Sequence, residues 1–289
     1  MIIKVFSQIG LFFLYILSFV PFAVLYFFSN LMYFLVYYVI RYRKKVVREN
    51  LRKSFPEKDA ETLLNIEKKF FRYFTDLMFE VIKLKSLSEN ELRKRVKFNG
   101  LDQLEKHFSQ SQSVLACMGH YGNWEMLILG LGLKISGKTY IIYKPLNSNT
   151  FEEWFKKLRN RFGNLLVPMR QTLRMIIATK DEPTVFCFGS DQSPLRGEVQ
   201  YTLQFLNQPT AVLMGLEKIA IQTNKPVYYF DLKRVKRGFY EVDVLPLCLD
   251  PKETKNHEIT DLFFEFLNTT IQREPSYWLW SHKRWKLNN

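Results

Sequence analysis

From Val5 to Ile40 no residue carries a charge. About 20 apolar residues suffice to cross the hydrocarbon core of a bilayer, so a run of this length dictates what the rest of the chain can do. A signal peptide has an apolar region of only about 7–15 residues before a small-residue cleavage site. Here bulky aromatics continue to the end of the run, and an uncleaved membrane anchor over residues 1–40 is the expectation. Pro21 lies near the middle. Proline either kinks one long helix or divides the run into a re-entrant pair, and the sequence leaves both open.

Directly after the run come Arg41, Arg43, Lys44 and Lys45, then Arg48, Arg52 and Lys53. A basic cluster beside a membrane segment marks the cytoplasmic side and attracts anionic headgroups. The formal net charge of +14 points to a polyanionic partner. Nucleic acid could use the same residue types, but the anchor argues against it. The 26 Phe and 15 Tyr crowd the first 80 residues and thicken again at the C-terminus. Tyr277, Trp278, Trp280 and Trp285, interleaved with His282, Lys283, Arg284 and Lys286, read as an interfacial belt. His282 is expected to make a structural or headgroup contact.

Residues 41–289 are expected to form a basic helical lead-in and one α/β domain. Asp59 is placed to cap a helix running to about Lys85, with Leu63, Ile66, Phe70, Phe74, Leu77, Val81 and Leu84 at helical spacing. Beyond it, strands at 113–118, 139–143, 184–188, 227–232 and 240–245 alternate with helices at 124–133, 150–161, 171–179, 211–222 and 259–272. Such alternation implies a sheet with helices on its faces, here a central mixed sheet. Cys117, Cys187 and Cys248 are too few and too widely spaced for a disulfide framework or a zinc site. Cys117 and Cys187 read as core thiols.

Of four histidines, His120 stands out. It follows a buried strand and Gly119, while Gly122 and Asn123 supply a turn and a cap for the helix that begins at Trp124. On one continuous helix His120 and Glu125 would be about 140° apart and could not meet. With His120 in the loop and Glu125 in the first turn, they can. A carboxylate beside an imidazole fixes its tautomer and stabilises the imidazolium. The alternative is plain: a first-turn Glu suits the helix dipole without any histidine. No G-x-S-x-G elbow, phosphate-binding glycine loop or second zinc-ligand His accompanies the pair. What remains is a base that activates a hydroxyl brought by a substrate. A thioester is already a good acyl donor, so neither metal nor cofactor is expected.

The stretch Gly119-His120-Tyr121-Gly122-Asn123-Trp124-Glu125 resembles the H-x-x-x-x-D/E motif of the glycerolipid acyltransferase superfamily, in the form found in the lipid A late acyltransferases. The likeness runs through Arg48-Glu49-Asn50-Leu51, Phe55-Pro56-Glu57, Tyr143-Lys144-Pro145-Leu146, Arg159 to Gly163, Ser190 to Pro194 and the C-terminal aromatic-basic segment. It implies that His120 deprotonates a hydroxyl of lipid A or its precursor and that Glu125 orients His120. The donor is implied to be an acyl thioester on acyl carrier protein, with coenzyme A as the other possible carrier. Arg159, Arg161 and Arg170 resemble the family's acceptor-phosphate region, and Asn123, Asp191 and Gln192 are taken as further substrate contacts. Asn207 stands where the family usually has Gly, so no contact is assigned to it. The implied location is the inner membrane, with the catalytic domain on the cytoplasmic side. Two readings compete: the same chemistry on a lysophospholipid, aminolipid or phosphoglycolipid, and a non-catalytic membrane-surface protein.

Overall fold

The computed structural model describes residues 2–287. Its uncharged run is divided at Pro21 into α1 (Ile2–Phe19) and α2 (Phe22–Phe34), and a π-helical turn at Leu35–Ile40 extends α2. Proline has no N–H to give and its ring collides with a preceding helical turn, so one helix stops before it and another starts after it. Next come α3 (Lys44–Ser54) and the long α4 (Ala60–Lys83). The Asp59 side chain accepts the Thr62 N–H at 2.7 Å and so satisfies one of the free donors at the start of α4. α4 lies antiparallel along α2, and the two bury Leu25, Tyr33, Phe70 and Phe71.

The α/β domain then runs α5 (Glu89–Arg95), β1 (Val96–Asn99), α6 (Asp102–Ser109), β2 (Val114–Met118), α7 (Trp124–Gly132), β3 (Lys138–Tyr143), α8 (Asn149–Arg159), β4 (Leu165–Pro168), α9 (Thr172–Ala178) and β5 (Thr184–Gly189). A hairpin, β6 (Tyr201–Phe205) and β7 (Gln208–Val212), precedes α10 (Gly215–Thr223), β8 (Val227–Lys236), β9 (Phe239–Cys248) and α11 (Glu258–Arg273). Seven strands form one sheet in the order β1-β9-β8-β2-β5-β3-β4. All neighbours are parallel except β8 and β9, which makes the sheet mixed, as expected. Every residue of β2 is buried, as suits a central strand covered on both faces.

One topological fact positions everything that follows. β2 and β5 are parallel neighbours, with Met118 opposite Gly189. Their C-terminal ends therefore open at the same edge of the sheet, and the loops carrying His120 and Asp191 leave side by side.

The helix expected at 211–222 is shorter and starts later. Residues 208–212 are strand, because Leu206 and Asn207 both adopt positive φ (49° and 59°) and turn the chain back on β6. A two-residue hairpin turn of this hand matches strand twist, and Asn tolerates the left-handed conformation better than most residues. Asn207 thus shapes a turn, and its side-chain amide donates to the Ser54 carbonyl at 3.0 Å.

Candidate active site

His120 and Asp191 meet at the end of the sheet. The His120 backbone N–H donates to Asp191 Oδ2 at 2.8 Å, and its ring Nδ1 lies 2.5 Å from Asp191 Oδ1. Trp278 Nε1 also donates to Oδ2, at 2.8 Å. A carboxylate with three such partners accepts from Nδ1–H, so the lone pair of His120 resides on Nε2. Gln192, exposed in the same loop as Asp191, sets its amide nitrogen 3.2 Å from Nε2.

One glycine makes room for the ring, and a second lets the loop that carries it pack on the sheet. At Gly189 a Cβ would stand 2.9 Å from His120 Cε1. Gly122 has φ +57°, and a Cβ there would meet Leu232 Cδ2 at 2.5 Å. Gly122 needs the backbone freedom as much as the missing side chain, whereas at Gly189 the missing side chain alone decides.

Burial alone would raise the Asp191 carboxyl, but the charge and hydrogen bonds of His120, with the Trp278 N–H, outweigh it and hold it down at about 2. The reciprocal effect acts on His120. Burial opposes its positive form, yet Asp191 prevails and raises its pKa above the ordinary value.

Glu125 spends its hydrogen bonds on Arg159 and not on His120, where the sequence-based expectation placed it, and its charge acts on the imidazole only through space. It is buried and takes both Nε and Nη2 of Arg159, the former at 2.9 Å. The reason is geometric. The helix that starts at Trp124 carries Glu125 away from the loop and toward the end of α8, where a two-pronged guanidinium matches a carboxylate. Arg159 in turn lines the cavity in front of His120.

The remaining expected contacts separate cleanly. Asn123 is completely buried. Its Oδ1 caps α7 through the Met126 N–H at 2.9 Å and its Nδ2 donates to Glu80 at 2.8 Å, so its polar atoms are used inside the protein. Arg161 donates to the carbonyls of Leu84 and Leu87 and ties the segment after α8 to the end of α4. Arg170 is exposed in the turn just before α9, next to Met169 of the cavity rim. Of the three arginines, only Arg159 faces the cavity.

The interfacial-belt reading of the C-terminus also fails. Trp278 and Trp280 are buried, and Trp285 nearly so. Their N–H groups go to Asp191, the Pro275 carbonyl and Thr210. Tryptophan is amphipathic wherever it sits, and here the polar end finds an internal acceptor. The Arg284 guanidinium is buried and has no hydrogen-bond partner among the described residues, and burial lowers its pKa to about 10. His282 is neutral: burial lowers it to about 4, and its Nε2 accepts from the Ser193 N–H at 3.4 Å.

In front of His120 the chain leaves two neighbouring spaces that share part of their walls. A slot of about 60 Å³ runs inward between Trp124, Ile128, Ile141, Cys187 and Phe188. A cavity of about 540 Å³ opens outward past Tyr143, Lys144, Leu146, Met169 and Leu216. His120 and Arg159 border both. The arrangement offers a base, a fixed cation, an apolar recess and a cationic mouth. Among the described residues no group of three or more His, Cys, Asp or Glu side chains could hold a metal.

The family model for bacterial lipid A biosynthesis acyltransferases matches residues 2–287. The lipid A biosynthesis acyltransferase of Haemophilus influenzae is 22% identical over 284 residues, covering 94% of this chain and 85% of that protein. The lipid A biosynthesis palmitoleoyltransferase of Escherichia coli K12 is 21% identical over 251 residues, 86% of this chain and 80% of its own. A lipid A biosynthesis acyltransferase of Shigella flexneri matches to the same extent. The chain belongs to the bacterial lipid A biosynthesis acyltransferase family and is an acyltransferase.

Proposed function

We propose that this acyltransferase moves a fatty acyl chain from a thioester on acyl carrier protein to a hydroxyl of a lipid A precursor, with His120 as general base. The observation that carries the reading is the seating of the imidazole. Nδ1 is held by a buried carboxylate and Nε2 faces a cavity. In this scheme the acceptor hydroxyl displaces the Gln192 amide and gives its proton to Nε2 as its oxygen attacks the thioester carbonyl. Asp191 stabilises the imidazolium so formed. The C–S bond breaks, the imidazolium proton passes to the departing sulfur, and the products are an acyl ester and a free thiol. A positioned base contributes about 10²–10⁴-fold, and orientation of the two substrates supplies much of the rest.

Arg159 is assigned to an anionic group of the acceptor or the developing oxyanion. Two of its nitrogens are spent on Glu125, and Nη1 remains to donate. Glu125 therefore acts on Arg159, and Asp191 takes the orienting role. The cavity of about 540 Å³ has room for an acyl chain, and an acidic carrier protein suits a chain of net charge +14.

The protein is assigned to the inner membrane with its α/β domain in the cytoplasm. Exposed Phe12, Phe13, Phe19, Phe27 and Phe34 beside exposed Arg41, Arg43 and Lys45 support that placement. The test is to incubate purified protein with acyl-carrier-protein thioesters and candidate acceptors and to weigh the products. A mass gain of one acyl chain on the lipid A precursor is expected. Label appearing on lysophospholipid alone would rule out the acceptor proposed here.

A further inference from the structure

Whether residues 22–40 cross the membrane or lie along it is decided by what lines the two sides of that helix. One side is a continuous apolar stripe: Val24, Phe27, Phe28, Leu31, Phe34, Leu35 and Tyr38 are all exposed and recur at three- and four-residue spacing. The opposite side faces charged groups of the domain along its whole length. At its first residue Arg95 stacks on Phe22 at 3.6 Å. Farther along, Glu80 accepts from Tyr26 at 3.0 Å and Asp76 from Ser29 at 2.7 Å. Arg237 donates to Asn30 at 3.0 Å, and Glu67 accepts from Tyr37 at 2.9 Å.

From Phe22 to Tyr37 the helical rise of about 1.5 Å per residue makes these contacts span roughly 22 Å, most of a hydrocarbon core of about 30 Å. If α2 stood across the bilayer, α4 and the β8–β9 hairpin would be carried into it with their charges. Ionised side chains are costly there, and exposed backbone edges more so.

We infer that the helix Phe22–Ile40 lies in the plane of one leaflet, its stripe of Phe and Leu sunk to the headgroup–acyl boundary and its other face held on the domain. Its lipid partner is an anionic leaflet, because Arg41, Arg43 and Lys45 are exposed directly at the end of the stripe. The geometry also brings the cavity to the membrane: α1 packs on α8, and Leu146 and Met169 at the cavity rim are exposed. A lipid acceptor reaches His120 without leaving the surface.

This inference rests on the membrane association proposed above, and the test separates the two. Single nitroxide labels are placed at Phe27→Cys, Leu31→Cys, Phe34→Cys and Tyr38→Cys in a Cys248→Ser background, since Cys117 and Cys187 are buried. Depth is read by power saturation in phosphatidylethanolamine–phosphatidylglycerol vesicles, with unlabelled activity as the control for folding. All four labels are expected at one shallow depth. A depth that changes steadily by about 1.5 Å per residue from position 27 to 38 would mean a spanning helix and overturn the inference. Four labels exposed to water would overturn the membrane association itself, and the inference with it.

Discussion

Asp191 and Glu80 are both buried carboxylates, about equally cut off from water, and their surroundings drive them in opposite directions. Asp191 lies at the open edge of the sheet against an ionisable imidazole and is held down at about 2. Glu80 lies in the seam between α2, α4 and β9, and burial pushes its pKa up. Its donors are Asn123 at 2.8 Å, Tyr240 at 2.7 Å and Tyr26 at 3.0 Å, all neutral. Neutral hydrogen bonds lower it, but less than desolvation raises it. The contrast separates a carboxyl held well below its usual range, to act, from one pushed above its usual range, to brace. Glu80 holds the Asn123 cap, and so the loop that carries His120, onto the same helix that grips α2.

The largest effect expected from breaking this division is at His120. His120→Ala should cost about 10²–10⁴-fold in acyl transfer with an unchanged melting profile. Retained turnover in a folded variant would remove the base from the scheme. Asp191→Asn should come next, losing up to about 10⁴-fold while the fold persists, because the amide can reverse the preferred tautomer of His120. Kinetics at saturating substrate would show this in kcat.

At Glu80 the effect should fall on stability. Glu80→Ala leaves Asn123 and Tyr240 buried without an acceptor and should cost about 1–3 kcal/mol in denaturant unfolding. Glu80→Gln, which resembles the protonated acid, should stay within about 1 kcal/mol of the parent. Equal losses in the two variants would mean that Glu80 is ionised and that the contrast with Asp191 is false.

The smallest effect is in the acid limb of stability. A carboxyl with a depressed folded pKa contributes stability above its unfolded value, about 3.9, and loses it as pH falls toward the folded value. For Asp191 this window lies between about pH 4 and 2, and the contribution is on the order of 2 kcal/mol. Asp191→Asn should flatten that part of the curve.

The two regions also differ in how far they could be read from the chain. Asp59 as a cap, the helical spacing of α4 and the apolar strands β2 and β5 are local patterns, and they appear where expected. The His120–Asp191 contact is not local. It depends on β5 lying next to β2 with Met118 opposite Gly189, a strand order that no spacing reveals. Glu125 looked like the partner because it is five residues away; the true neighbour is 71 residues away. The tryptophans of the C-terminus misled for a different reason. An aromatic-basic segment has the same composition whether it faces lipid or folds over a buried acid, and only the acceptors found by Trp278, Trp280 and Trp285 distinguish the two.

The most direct measurement of the account is the pH dependence of kcat/KM for acyl transfer in the parent, Asp191→Asn and Glu125→Gln. His120 must lose its proton to act, and Asp191 raises its pKa. The parent should therefore gain activity with pH through an apparent pKa above about 6.5. Asp191→Asn should move that limb to lower pH, and Glu125→Gln should lower the rate while moving it much less. A limb that stays in place without Asp191 and shifts without Glu125 would contradict the assignment and make Glu125 the residue that governs His120.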